Sequence, residues 1–156
     1  MKRIIRRIKT ILLVLLIFSV GVVCGGYLFA ASQPRSFLAV GRCEGTCLQP
    51  NELVGLVASV GIQRFPGLIP SVVKETDKTI AIVHPSPNAR THFVVIPKRD
   101  IKNIGQLSEA DRDFLVDMYG VSRQLIDENG LVNYQLIANG PGYQTATYLH
   151  FHLIAH

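Results

Sequence analysis

Residues 11–31, ILLVLLIFSVGVVCGGYLFAA, contain no charged side chain. About 20 apolar residues in a row is the length an α-helix needs to cross the hydrocarbon of a bilayer. The stretch has no polar face to offer water, so it splits the chain into a part that must be buried in lipid or protein and a part free to fold in solution. Lys2, Arg3, Arg6, Arg7 and Lys9 stand directly before it, which makes a buried core helix a poor fit. A signal-peptide core is usually shorter, about 7–15 residues, although LFAAS offers small residues for cleavage. The reading adopted is an uncleaved, single-pass transmembrane anchor over 11–31. The basic flank, 1–10, then stays in the cytoplasm, and everything from residue 35 onward is extracytoplasmic. Cys24 falls inside the apolar run and is read as membrane-buried; GVVC is only a loose match to a lipoprotein cleavage site.

The flank also accounts for the charge. The 156-residue chain has a formal net charge of +5, yet beyond the flank 11 Lys and Arg face 11 Asp and Glu. No basic cluster remains within the folded part, which argues against a nucleic-acid partner. Cys43 and Cys47, in GRCEGTCLQP, are open to two readings. Outside the cytoplasm a local disulfide is reasonable; otherwise they are two free thiols. A zinc knuckle needs two further ligands with suitable spacing, and none follows nearby.

Residues 32–64 read as a linker with a short helix from Asn51, as cap, to about Ile62, with Glu52 in its first turn. From 65 to 156 the pattern is that of a compact domain. PSVVKET and KTIAIVH read as strands joined at Thr76–Asp77, and THFVVIP is a third strand ended by Pro97. LSEADRDFLVDMYGVSRQLIDENG is the main helix. Ser108 and Asp111 have capping-box spacing, Phe114, Met118, Val121 and Leu125 make the packing stripe, and Gly130 is the stop. NYQLIA and TATYLHFHLIAH supply the last two strands, separated by the tight loop NGPGYQ. The order predicts an α+β fold, an antiparallel sheet with one main packed helix.

Three of the five histidines lie in the final strand, TYLHFHLIAH. Alternation puts Leu149, Phe151 and Leu153 on one face and Tyr148, His150, His152 and His156 along the other. A row of imidazoles on one face fits a metal site, a nucleophile with helpers, or a solvated strand face. Neutral imidazole is a competent nucleophile near neutral pH, its unperturbed pKa being about 6.5. Attack on phosphorus gives a phospho- or nucleotidyl-histidine that water then cleaves. His152 lies beside His150 on the same face, the N–H groups of a Gly-rich turn can face an anion, and Thr145 adds a hydroxyl. A three-nitrogen zinc site from His92, His150 and His152 is the minority reading; the phosphorus scheme needs no metal or cofactor. His156 is expected to fray, and His84 to be structural.

THFVVIPKRDIKNIGQLSEAD, followed by a long helix and then NGPGYQTATYLHFHLIAH, resembles the histidine-triad (HIT) superfamily, whose fingerprint alternates three histidines with apolar residues after a Gln and a Ser or Thr. The resemblance runs from about Phe65 to the end. It implies a HIT-like antiparallel sheet and a site in which His150 attacks the α-phosphate of a nucleotide. His152, Gln144, Thr145 and His92 would contact phosphate or lie close to it. Tyr148 stands where the first histidine belongs, with its hydroxyl as a candidate replacement for one supporting hydrogen bond. Ala138 occupies a position where the family often has Asn, and Asn139 is the neighbouring substitute. Pro85 sits where many members place an Asp that holds the ribose, and the tail that often completes the pocket does not follow His156.

The function expected is that of a nucleotide phosphohydrolase or nucleotidyl transferase acting through a nucleotidyl-histidine. One alternative is a lipid-nucleotide hydrolase resembling CDP-diacylglycerol pyrophosphatases, which would reconcile a nucleotide substrate with a membrane anchor. Another is a catalytically weak nucleotide-binding module. The expected partners are a nucleotide or nucleotide-lipid substrate and the membrane, with a homodimer left open. A topology reporter fused after His156 should be active only on the non-cytoplasmic side; activity on the cytoplasmic side would reverse the orientation.

Overall fold

A computed structural model describes residues 2–36, 47–87 and 89–156. Cys43 lies outside the described residues, whereas Cys47 is held in a disulfide. The chain forms two compact units, Met1–Ala31 and Ser32–His156. The first is one helix, α1 (Lys2–Phe29), long and apolar enough to cross a membrane by length and composition. Cys24 is a free thiol on its surface.

The second unit contains α2 (Pro50–Arg64), β1 (Val72–Glu75), β2 (Thr79–Val83), β3 (Thr91–Pro97), α3 (Arg112–Glu128), β4 (Tyr134–Ala138) and β5 (Phe151–Ala155), with short 3-10 turns between them. The five strands form one sheet in the order β1-β2-β3-β5-β4, every neighbouring pair antiparallel. This is the α+β antiparallel sheet expected, with α3 as its main packed helix.

Side-chain alternation gives the sheet two different faces. Ala81, Phe93, Val95, Phe151 and Leu153 join Met118, Val121 and Leu125 of α3 in the larger core, which also takes in Ile101 and Leu149. Ile80, Ile82 and Ile96 point the other way and pack with Ile62 and Ala58 of α2 and with Tyr148. Helix α3 begins and ends as its sequence dictates. Both the Ser108 amide and its hydroxyl donate to the Asp111 carboxylate, at 2.8 and 2.6 Å, closing the capping box. At the other end Gly130 takes φ +60°. The Leu131 N–H reaches the Ile126 carbonyl at 3.0 Å and the Gly130 N–H reaches Asp127 at 3.3 Å, the paired bonds of a Schellman stop that a left-handed residue permits.

Two local expectations shift. Helix α2 starts at Pro50 rather than after an Asn51 cap, because proline is preorganised for the first helical position. The last strand starts at Phe151, not in the TATYLH stretch, because amides there find partners outside the ladder. Thr147 N–H donates to the Asn51 carbonyl at 3.1 Å, and Leu149 N–H to Ile101 at 2.6 Å. Freed from the pleat, Tyr148 turns into the α2-side core, 2 % exposed, and its hydroxyl donates to the Pro97 carbonyl at 2.8 Å. Burial, reinforced by Asp100 and opposed by Arg35, raises the phenol pKa far above its ordinary value, so it stays a donor.

Tyr148→Phe should destabilise the domain by about 1–3 kcal/mol, the range for leaving a buried acceptor unmatched. Thermal unfolding followed by circular dichroism measures this, and an unchanged midpoint would show the bond to be dispensable.

Candidate functional site

The sheet face opposite α3 carries an imidazole cluster, assembled by strand register. In the β3–β5 ladder Val94 lies opposite His152 and His92 opposite Ile154. His92 and His152 are thus diagonal neighbours on one face, and His92 Nε2 lies 2.9 Å from His152 Nδ1. The β2–β3 ladder ends with Val83 opposite Phe93; one step on, His84 N–H donates to the His92 carbonyl at 2.9 Å. The His84 ring stacks on His92 with centroids 4.0 Å apart and planes 8° from parallel. His150, just before β5, meets His152 edge-on at 4.8 Å and 79°.

Hydrogen bonding fixes which nitrogens carry protons. His150 Nδ1 lies 2.7 Å from the Tyr148 carbonyl. A carbonyl oxygen only accepts, so Nδ1 is the protonated nitrogen and the neutral ring keeps its lone pair on Nε2. His84 Nδ1 accepts the Ser86 amide at 3.1 Å, so its proton belongs on Nε2. His92 Nδ1 is buried with no partner. A buried N–H there would forfeit a full hydrogen bond, whereas an unused acceptor costs less. The favoured arrangement therefore has His92 Nε2–H donating to His152 Nδ1, leaving His152 with an N–H at Nε2. A lone pair on His150 and a donor on His152 stand side by side.

The electrostatics favour the neutral form of His92, His150 and His152. Burial, then the neighbouring charges of His150, His92 and His84, lowers the His152 pKa to about 4. Burial and His84 lower that of His92. His150 is lowered by burial, partly restored by its bond to the Tyr148 carbonyl, and lowered again by His84. Neutral imidazoles are what nucleophilic attack and neutral donation require.

The other sequence-selected residues take varied places. Gln144 is buried, and its amide nitrogen donates to the carbonyls of Lys102 (3.1 Å) and Tyr148 (3.4 Å), which braces the loop ahead of His150. Thr145 is exposed, and Asn139 is half-buried just beyond β4. Between them the turn closes through Tyr143 N–H to the Gly140 carbonyl at 3.1 Å, with Gly142 at φ +92°. The main chain of Tyr148 orients His150 while its hydroxyl serves Pro97. His156 is exposed beyond the end of β5.

Sequence reasoning set His84 aside as structural, yet it stacks within the cluster. The signal was available: in a hairpin closed by Pro85–Pro87, a histidine one step before the turn falls opposite His92. Reasoning also missed Arg35. Its guanidinium grips Asp100 at 2.5 and 2.8 Å and donates to the Thr147 carbonyl at 2.7 Å. Both side chains are 1 % exposed.

Comparison with known proteins gives a consistent picture. The family described as "Scavenger mRNA decapping enzyme C-term binding" matches residues 69–156. An uncharacterized HIT-like protein of Buchnera aphidicola is 34 % identical over 96 residues, spanning 56 % of this chain and 83 % of that protein. A HIT family hydrolase structure from Legionella pneumophila superposes with a TM-score of 0.56 at 29 % identity, covering 60 % of this chain and 88 % of the other. A histidine triad nucleotide-binding protein from Candida albicans superposes with a TM-score of 0.50 at 28 % identity, covering 60 % and 71 %.

The lowered histidine pKa values give a signed expectation. Between a folded pKa of about 4 for His152 and an unfolded value of about 6.5, the unfolded chain binds more protons. The cluster's contribution to stability is thus complete above the unfolded value and is lost as pH falls toward the folded one. The thermal midpoint should fall between about pH 7 and about pH 5, and less steeply in His152→Gln.

Proposed function

The chain belongs to the histidine-triad superfamily, through the family of the scavenger mRNA decapping enzyme C-terminal region, and on that premise we propose that it is a hydrolase or nucleotidyl transferase that cleaves at phosphorus in a nucleotide-containing anhydride, ester or phosphoramidate. The observation that carries this reading is the 2.7 Å bond from His150 Nδ1–H to the Tyr148 carbonyl, which leaves the Nε2 lone pair of a neutral ring as the nucleophile.

In the proposed reaction His150 Nε2 attacks the α-phosphorus. A P–N bond forms, and the bond to the leaving group breaks with its electron pair passing to the leaving oxygen or nitrogen, which is then protonated. Water, or an acceptor in the transferase case, next attacks phosphorus and breaks the P–N bond. The mononucleotide leaves and the imidazole is restored. His152 donates its Nε2–H to a phosphoryl oxygen, and the preorganised donor stabilises charge as it grows there. His92 acts behind it by donating to His152 Nδ1, which fixes the tautomer. Thr145 and the turn at Gly140–Tyr143 are assigned to the phosphate or leaving group, and Gln144 to holding that loop in place.

The first histidine's absence matters little in this scheme, because the orienting acceptor is a main-chain carbonyl that any residue at 148 supplies. That argument favours an active enzyme over a catalytically weak binding module. The neighbouring HIT family hydrolase and nucleotide-binding protein support the same reaction class. Helix α1 favours a membrane-anchored form, and with it a second reading of the substrate: a nucleotide-lipid such as CDP-diacylglycerol, presented by the bilayer. The orientation proposed keeps the N-terminus cytoplasmic and the domain outside.

The full chain in detergent micelles, given diadenosine polyphosphates, a nucleoside phosphoramidate or CDP-diacylglycerol, should release mononucleotide. His150→Ala should slow release about a thousandfold or more, as loss of a nucleophile does, and quenching the wild type in alkaline denaturant, where the P–N bond survives, should trap labelled nucleotide on His150. Equal release by wild type and variant would end the proposal. Release confined to the lipid conjugate would select the second substrate, and nucleotide binding without turnover would select the binding module.

A further inference from the structure

Helix α2 has its polarity reversed for a surface helix. From Leu53 to Gln63 it carries no charged residue, and the side it buries holds Gly55 and Ser59 beside Ile62. Leu53, Val54 and Val57 face outward, each 45 % or more exposed. Helix α3 does the opposite: Arg112, Asp113, Arg123 and Asp127 are exposed, and Met118, Val121 and Leu125 are buried. A surface helix ordinarily turns its polar side to water, and one that is apolar all round has something covering it. We propose that the outer face of α2 docks on lipid, at the boundary between headgroups and acyl chains of the bilayer that holds α1.

Two observations select lipid as the occupant. The first is the length of the tether. Helix α1 ends at Phe29, Ser32 opens the second unit, and the Ser32 hydroxyl lies 2.9 Å from that of Ser59 on α2. Only Ala30 and Ala31 intervene, and a chain that short reaches about 10 Å at full stretch. A bilayer crossed by α1 is therefore always within reach of the residue that α2 holds. The second is the size of the face. Three aliphatic side chains are a small part of the about 800 Å² that each partner of a stable protein pair buries. Lipid sets no such minimum. The anchor keeps it at high effective concentration, and every apolar side chain that enters adds its own transfer free energy. Interfacial helices sink about 5–10 Å into the headgroup boundary, a depth that leaves Gly55, Ser59 and Ile62 in place against the folded unit.

Docking bears on the substrate as well. Ile62 and Ala58 of α2 pack with Ile80, Ile82 and Ile96, on the side of the sheet that also carries His92 and His152. A docked α2 thus turns the imidazole-bearing face toward the bilayer, where a nucleotide-lipid is presented. That consequence rests on the proposed function, whereas docking itself does not.

The chain contains no tryptophan, so one introduced indole reports its own surroundings. Full-length Val57→Trp, reconstituted into phosphatidylcholine vesicles, should show blue-shifted emission. It should lose about half its fluorescence or more when the lipid carries bromine near the headgroup end of its acyl chains, the depth expected of a docked helix. Leu53→Trp should behave alike. Val116→Trp, at a similarly exposed aliphatic position on α3, should emit as in water and ignore the bromine. The inference is overturned if the indoles at 57 and 116 respond alike to the brominated lipid. It is equally overturned if Val57→Trp is blue-shifted but unquenched, for protein then covers the face; a shift that grows with the protein-to-lipid ratio would identify a second copy. Failure of the hydrolysis assay would leave the fluorescence result intact, so the two ideas fall separately.

Discussion

The antiparallel ladder between β3 and β5 decides where the central imidazoles, His92 and His152, go. A strand presents alternate side chains to opposite faces, so one pairing register sends Phe93, Val95, Phe151 and Leu153 to α3 and turns His92 and His152 to the other side. A slip of one residue would exchange the two sets and put histidines into an aliphatic core. The large apolar burial on one face thus fixes the polar geometry on the other. The 2.9 Å contact between His92 and His152 follows from packing energy far larger than its own.

The segment before His150 is held by a different device, a set of bonds to distant parts of the chain. Leu149 is tied to Ile101, Gln144 to Lys102, and Thr147 to Asn51 and Arg35. Asp100, sitting among these partners, accepts both from Arg35 and from the Gln33 amide at 2.7 Å. Gly55 of α2 lies so close that a Cβ there would sit 2.5 Å from the Thr147 hydroxyl and 2.7 Å from its carbonyl. Gln33, Arg35, Asn51 and Gly55 therefore help to set the path of the chain into His150, although none of the four touches an imidazole of the cluster by any bond described above.

What the sequence made readable and what it withheld divide along this line. Local signals spoke clearly: the capping box at Ser108 and Asp111, the stop at Gly130, and the apolar stripe of α3 depend on neighbours within a few residues. The alternation of Leu149, Phe151 and Leu153 announced one buried face, and all three are buried. The start of β5 was not readable, since it depends on amides choosing partners about fifty to a hundred residues away in sequence. Alternation put Tyr148 on the side of the sheet away from α3, where it packs on Ile80, Ile82 and Ile96; its hydroxyl's partner, the Pro97 carbonyl 51 positions back, left no local trace. His84 needed the hairpin register, and Arg35 looked like a linker residue because nothing near it in sequence reveals the carboxylate 65 positions ahead.

The Arg35–Asp100 pair carries a practical corollary for anyone wishing to excise the sheet-bearing unit. A fragment cut at Phe65, where the compact pattern begins, would leave the Asp100 carboxylate enclosed without its counter-charge. Removing one partner of such a pair commonly costs about 3–5 kcal/mol, a large share of a small domain's whole stability. The same cut would strip Ile62 and Ala58 from the isoleucines and the tyrosine they cover, exposing a greasy patch prone to self-association. Ser32 marks the latest place at which scissors can be applied.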